Sequence, residues 1–173
     1  MSTAPPRYSF EALADHDRSS FFCGVPELDD YLRRQASQDA RRKVAAPFVM
    51  VDDGRRILGY YTLSAYGVRV TELPPDLIRK LPKYPLIPAT LLGRLAVSRD
   101  HQGQKLGTLL LMDALHRSWR NSTQVASVGV MAEAIDEAAR RFYLHHEFVP
   151  IPEHPRKVFL AMRTIAKAFG SAY

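Results

Sequence analysis

The chain has 173 residues, 46% hydrophobic and 24% charged, which suits one soluble domain with its own apolar core. It has no run of 18 apolar residues, no leader of basic flank plus apolar stretch, and only one cysteine, Cys23. A transmembrane helix, a signal peptide and an intrachain disulfide are therefore not expected, and a reducing cytosol is. The net charge of +6 favours an anionic partner: a nucleic acid, a phosphate-rich cofactor or an acidic protein.

Residues 1–7, with Ala4-Pro5-Pro6, read as a flexible tail. Residues 8–168 read as a single domain and 169–173 as a C-terminal tail. Val25 to Arg42 is predicted to be a helix. Pro26 suits its first turn, and Glu27, Asp29 and Asp30 complement the helix dipole there. Leu28, Tyr31, Leu32 and Ala36 mark its apolar face, with Arg33, Arg34 and Arg41 opposite. Phe48–Val51 and Ile57–Ala65 read as strands joined by the turn residues Asp52-Asp53-Gly54-Arg55. A proline-rich segment from Leu73 to Pro88 follows, with a short helix at Asp76–Lys80. Leu91–Val97 is the third strand, Ser98–Lys105 a polar turn, and Gly107, Leu110, Leu111, Ala114, Leu115 and Ser118 recur at helical spacing. Val125–Met131 reads as a strand, Glu133–His145 as a helix and Lys157–Met162 as a closing strand. This order implies an α/β (α+β) domain whose sheet is mixed, part parallel and part antiparallel.

The strand Leu91–Val97 runs through Arg99 to Thr108 directly into a helix. A helix start offers backbone N–H groups without intrahelical partners and a partial positive charge, a favourable seat for a pyrophosphate. Gly103 and Gly107 let the backbone curl towards an anion, and Lys105 and Thr108 add donors. Many strand–helix connections carry glycines for geometry alone, so the turn by itself leaves both readings open.

Gln102-Gly103-Gln104-Lys105-Leu106-Gly107 resembles the Gln/Arg-x-x-Gly-x-Gly/Ala cofactor motif of the GNAT acetyltransferases. Lys105 stands at the middle glycine, so it must take a φ open to a non-glycine residue or the loop must shift. Further stretches extend the likeness across nearly the whole chain after the tail: Phe22-Cys23-Gly24, Glu27-Leu28-Asp29, Gly59 to Ser64, Ile87-Pro88, Leu92 to Val97, Leu110 to Ala114 and Phe142-Tyr143. Together they resemble the GNAT toxins of bacterial type II toxin–antitoxin pairs. The resemblance implies a GNAT fold with a mixed central sheet, splayed at the cofactor strand and flanked by helices. It also implies acetyl transfer from acetyl-CoA to the α-amino group of aminoacyl-tRNA, which blocks translation. A cognate antitoxin, usually of the ribbon-helix-helix type, and a homodimer are the partners it suggests.

Site residues follow from the same resemblance. Tyr143 would be the catalytic acid that protonates the departing CoA thiolate. Backbone groups of Leu95, Ala96 and Val97 would pair with the pantetheine, and the amide of Leu95 or Val97 would form the oxyanion hole. Gln102, Gly103, Gln104, Lys105, Leu106, Gly107 and Thr108 would cradle the pyrophosphate. Read without the resemblance, Phe142-Tyr143 is a pair of core aromatics and Leu95–Val97 an ordinary inner strand. Arg33, Arg34, Arg41, Arg42 and Lys43 are candidates for a tRNA surface, against the plainer reading of a solvated helix face. No metal is expected, since the adjacent His145 and His146 point apart on a helix and lack a third ligand. Two other functions fit the chain less closely: a GNAT enzyme acting on a protein, polyamine or other small amine, and a non-enzymatic basic RNA-binding module.

Overall fold

The computed structural model describes residue 5 and residues 7–170; residues 1–4, 6 and 171–173, which carry most of the two expected tails, lie outside them. Seven strands form one sheet: β1 (Ser9–Ala12), β2 (Ala46–Val51), β3 (Ile57–Arg69), β4 (Leu86–Val97), β5 (Gly129–Glu133), β6 (Val149–Ile151) and β7 (His154–Ala161). Their order is β1-β2-β3-β4-β5-β7-β6. The β4–β5 pair is parallel, while β1–β2, β2–β3, β5–β7 and β6–β7 are antiparallel, so the sheet is mixed as expected. The helices are α1 (Pro26–Asp30), α2 (Ala36–Arg41), α3 (Pro75–Ile78), α4 (Leu106–Asn121), α5 (Glu137–His145) and α6 (Met162–Ala168). None of the described helices is long and apolar enough to cross a membrane.

The chain divides into two compact units, one of residues up to Leu63 plus Arg94–Ala114, the other of Ser64–Gly93 plus the residues from Leu115 onward. In the first unit the helix expected at Val25–Arg42 is present but not uniform. Between α1 and α2 the stretch Tyr31–Gln35 is one wide π turn, in which the Ala36 N–H reaches back to the Tyr31 carbonyl. Tyr31, Leu32 and Ala36 all face inward and pack with Phe21, Val49, Val51, Ile57 and Tyr60. The Phe21 ring meets Tyr60 edge-on at 5.6 Å, and the Tyr60 hydroxyl donates to the Leu28 carbonyl at 2.7 Å. Gly59 lets α4 settle close to β3: a Cβ there would meet the Leu110 side chain and lie 2.8 Å from the Ala96 carbonyl oxygen.

In the second unit, β4 pairs with β5 through Thr90, Leu91 and Leu92, and β7 lies along β5 from Gly129↔Ala161 to Glu133↔Lys157. Val68, Leu73, Ala89, Met131, Ile151 and Phe159 form its core. Several boundaries differ from the sequence reading. Strand β4 begins at Leu86 and takes in Pro88, whose carbonyl accepts from the Val128 N–H at 2.9 Å. Strand β5 begins only at Gly129, because the Val125 N–H is taken by the Asn121 carbonyl in the turn that ends α4. Helix α5 starts at Glu137 rather than Glu133, since the Asp136 carboxylate accepts from the Ala139 N–H at 2.8 Å and caps it there. Beyond α6, Phe169 stacks on Trp119 with ring centroids 5.7 Å apart.

Candidate active site

The turn after β4 belongs wholly to the first unit. The strand leaves its β5 partner after Leu92 and continues to Val97, and the Ser98 N–H then donates to the Leu58 carbonyl at 2.8 Å. One 3-10 turn, Arg99–His101, leads to Gln102, and α4 begins at Leu106. Two residues of this short link have left-handed backbones: Gly103 at φ +82° and Lys105 at φ +61°. Lys105 thus takes a left-handed φ, which a non-glycine residue can adopt but at a cost on the order of 1–2 kcal/mol. A Cβ on Gly103 would meet nothing within 4 Å, so its backbone faces open space. Gln104 and Lys105 are exposed, and the buried Leu106 side chain anchors the first turn of α4. A curled backbone, a helix start and a free-standing ammonium are what a diphosphate needs.

Gln102 behaves differently from the rest of the motif. Its Nε2 donates to the Val97 and Cys23 carbonyl oxygens, 3.0 Å each, and its backbone N–H donates to the Arg99 carbonyl at 3.2 Å. Every donor it has is committed inside the protein. Its part is to hold the turn.

Tyr143 lies in the second unit, on α5, and is only 5% exposed. Its ring is flanked by Phe142 at 5.4 Å and Phe148 at 5.2 Å, and its carbonyl accepts from the His146 and Phe148 N–H groups as the helix ends. Burial pushes its phenol well above the usual tyrosine range, and among the described residues no group hydrogen-bonds its hydroxyl. The side chain is therefore a neutral O–H donor at any working pH.

Other residues singled out by sequence are placed as follows. The His145 and His146 rings lie 86° apart, and the described residues hold no group of three metal-ligating side chains. Burial raises the Cys23 thiol to about 11, which leaves it unsuited to nucleophilic attack. Arg33, Arg34, Arg41, Arg42 and Lys43 are all exposed, and the Arg33 guanidinium also donates to the Phe21 carbonyl. Sequence reasoning placed Asp29 only in the acidic first turn of the helix and missed that it is buried, 3% exposed, and accepts from the Cys23 N–H beside the turn. Its signal was an acidic residue on the apolar side of an amphipathic helix.

A family model described as the acetyltransferase (GNAT) domain matches residues 45–150. A tRNA-acetylating toxin of Mycobacterium tuberculosis is 34% identical over 154 residues, covering 89% of this chain and 91% of the relative. The structure of AtaT complexed with acetyl-methionyl-tRNAfMet superposes with a TM-score of 0.87 at 30% identity, covering 94% of this chain and 99% of that one. A tyrosine-to-phenylalanine mutant of AtaT, bound to the C-terminus of the antitoxin AtaR and to acetyl-CoA, superposes with a TM-score of 0.81 at 28% identity, over 95% of this chain and 99% of that one. This chain belongs to the GNAT acetyltransferase family and is an acetyltransferase of the kind represented by its tRNA-acetylating toxins.

Proposed function

We propose that this chain is the toxin of a toxin–antitoxin pair, moving the acetyl group of acetyl-CoA to the α-amino group of an aminoacyl-tRNA. The observation that carries this reading is the turn from Gly103 to Thr108, curled by two left-handed residues into the start of α4. The likeness to AtaT with acetyl-methionyl-tRNAfMet supports the acceptor. The catalytic domain is read as residues 8–168.

In the reaction the neutral amine attacks the thioester carbonyl. A C–N bond forms, the C–S bond breaks, the nitrogen gives up a proton and CoA leaves as the thiol. An α-amino group has a pKa of about 8, so water can take that proton without a strong protein base. The backbone amides of Leu95 and Val97 are assigned to the pantetheine and the developing oxyanion. The neutral Tyr143 hydroxyl is assigned to the departing sulfur. Lys105 and the N–H groups from Gly103 to Thr108 are assigned to the diphosphate.

The AtaT complex with the AtaR C-terminus supports a cognate antitoxin as partner. We read that antitoxin as a ribbon-helix-helix protein, the toxin as a homodimer and the cytosol as its compartment. Incubation with labelled acetyl-CoA and total charged tRNA, followed by nuclease digestion and mass analysis, tests the function. Acetyl on an aminoacyl-adenosine is expected. Label found only on protein or on small amines would replace this reading with that of a GNAT enzyme for another acceptor.

A further inference from the structure

Three backbone groups of the segment Phe22-Cys23-Gly24 are engaged around the phosphate turn. The Phe22 carbonyl accepts from the Arg99 N–H at 2.8 Å, and the Cys23 carbonyl accepts from Gln102 Nε2 at 3.0 Å. The turn is thus held at its first residue and at the residue just before Gly103. The Phe22 carbonyl and the Cys23 N–H belong to one peptide group. Its N–H donates to Asp29 Oδ1 at 2.8 Å, inside the protein. A continuous line of hydrogen bonds therefore runs from the Asp29 carboxylate, through that peptide group, to the Arg99 amide. A charged acceptor polarises a peptide group and strengthens the bond its carbonyl accepts.

The surrounding residues fit this line. Gly24 has φ +95°, and a Cβ there would collide with the Arg99 guanidinium, which also sits 5.0 Å over the Phe22 ring. Gln102 closes the far side through its second bond, to the Val97 carbonyl at the end of β4. A carboxylate at 3% exposure needs hydrogen-bond donors, and the Cys23 N–H is a donor that belongs to the same peptide group as the Phe22 carbonyl.

We propose that Asp29 is a positioning residue for acetyl-CoA binding, holding in place the segment Phe22-Cys23-Gly24, whose carbonyls accept from the Arg99 N–H and from Gln102, and so fixing the turn that receives the diphosphate. The proposal rests on the acetyl-CoA reading of that turn. Asp29 touches neither substrate; it presets backbone that does, so binding loses less conformational freedom.

The test is a double-mutant cycle read as KM for acetyl-CoA and kcat, on the full chain with charged tRNA. Asp29→Ala is expected to raise KM about tenfold, equivalent to ~1.4 kcal/mol, with kcat at saturation within about twofold. Asp29→Asn keeps an acceptor for the Cys23 N–H and is expected to restore KM to within about twofold of the parent. Gln102→Met, on the exposed turn, raises KM similarly. The double variant is expected to be little worse than either single one, because both loosen the same segment, Phe22-Cys23-Gly24, from the turn. An unchanged KM in Asp29→Ala, or strictly additive effects, overturns the proposal. Hydrogen exchange of the amides from Arg99 to Lys105, without any ligand, supplies a readout independent of turnover. Faster exchange in both Gln102→Met and Asp29→Ala supports the proposal, and unchanged exchange in either rejects it, including where Asp29→Ala folds poorly and only Gln102→Met can be read. A parent protein that ignores acetyl-CoA would defeat the proposed function instead, and the exchange result would still decide the positioning role.

Discussion

The guanidinium carbon of Arg94 lies 3.5 Å from the centre of the Tyr31 ring, a cation stacked on a phenol whose hydroxyl donates to Asp39 Oδ2 at 2.8 Å. Burial first, and then the bond to Asp39, push the Tyr31 phenol up to about 12, while the Arg94 charge pulls the other way. A phenol is neutral when protonated, so a raised pKa means the folded state resists ionisation. The stability this represents is complete below the unfolded value near 10 and is lost as pH climbs from about 10 to about 12. Tyr31→Phe should cost ~1 kcal/mol at neutral pH through the lost hydrogen bond, yet weaken the fall between pH 10 and 12. The buried Tyr60 is shifted upwards too, so the fall will flatten without disappearing. Urea titrations at pH 8, 10 and 11.5 measure this; equal alkaline slopes in both proteins would refute it.

Lys105 combines a left-handed backbone with the exposed charge of the turn. Lys105→Gly and Lys105→Ala separate the two. Both remove the ammonium, so both should raise the KM for acetyl-CoA and weaken its dependence on salt. Only glycine relieves the φ penalty, so the glycine variant should be more stable than the alanine variant by about 1 kcal/mol. Thermal unfolding and KM at two ionic strengths are the measurements. A KM unchanged in both variants would remove Lys105 from the diphosphate site.

Lys105 also marks how far sequence carries. The strand–turn–helix run, the glycine pattern and the aromatic pair on α5 are local features, and they could be read directly. Strand β1 could not: Ser9–Ala12 has too few residues to show a period and exists because β2 offers it an edge, Ser9 opposite Val51. The start of β4 was hidden by Pro88, which forfeits a donor but sits where its carbonyl alone is needed. The role of Gln102 was out of reach for another reason. Its motif position is local, but the direction of its amide is set by the Cys23 carbonyl, 79 residues earlier in the chain. Arg33 looked equivalent to Arg34 by composition; a carbonyl in a preceding loop makes them different.

Among the described residues the Tyr143 hydroxyl has no hydrogen-bond partner, and this separates a catalytic from a packing role. If it served only the core, Tyr143→Phe would leave the rate unchanged. As the donor to the departing sulfur it should cost roughly 10²–10⁴ in kcat, with acetyl-CoA binding by thermal shift nearly intact. Because the hydroxyl holds no bond to any described residue, the phenylalanine variant should be at least as stable as the parent. The raised pKa also keeps the donor protonated, so kcat should not decline on the alkaline side before about pH 10 through this group. An unchanged rate would exclude Tyr143 from the mechanism.

The basic segment from Arg33 to Lys43 should not behave as one surface. Arg34, Arg41, Arg42 and Lys43 are exposed, as Arg33 is, and an exposed cation that meets a phosphate contributes to affinity through counterion release. Replacing any of these four by glutamine should weaken tRNA binding for every charged tRNA alike. The slope of log affinity against log salt should fall by roughly 0.7–0.9 for each phosphate that is no longer neutralised, with stability altered by no more than about 0.5 kcal/mol. Arg33 has part of its donor set occupied by the Phe21 carbonyl. Arg33→Gln leaves that carbonyl without its partner, so it should cost ~1–2 kcal/mol of folding stability and change the salt slope least. Paired urea unfolding and filter-binding titrations over a salt series compare the five positions. If Arg33→Gln matched the others in slope and left unfolding untouched, the segment would act as one phosphate-binding surface and the division between Arg33 and its neighbours would be wrong.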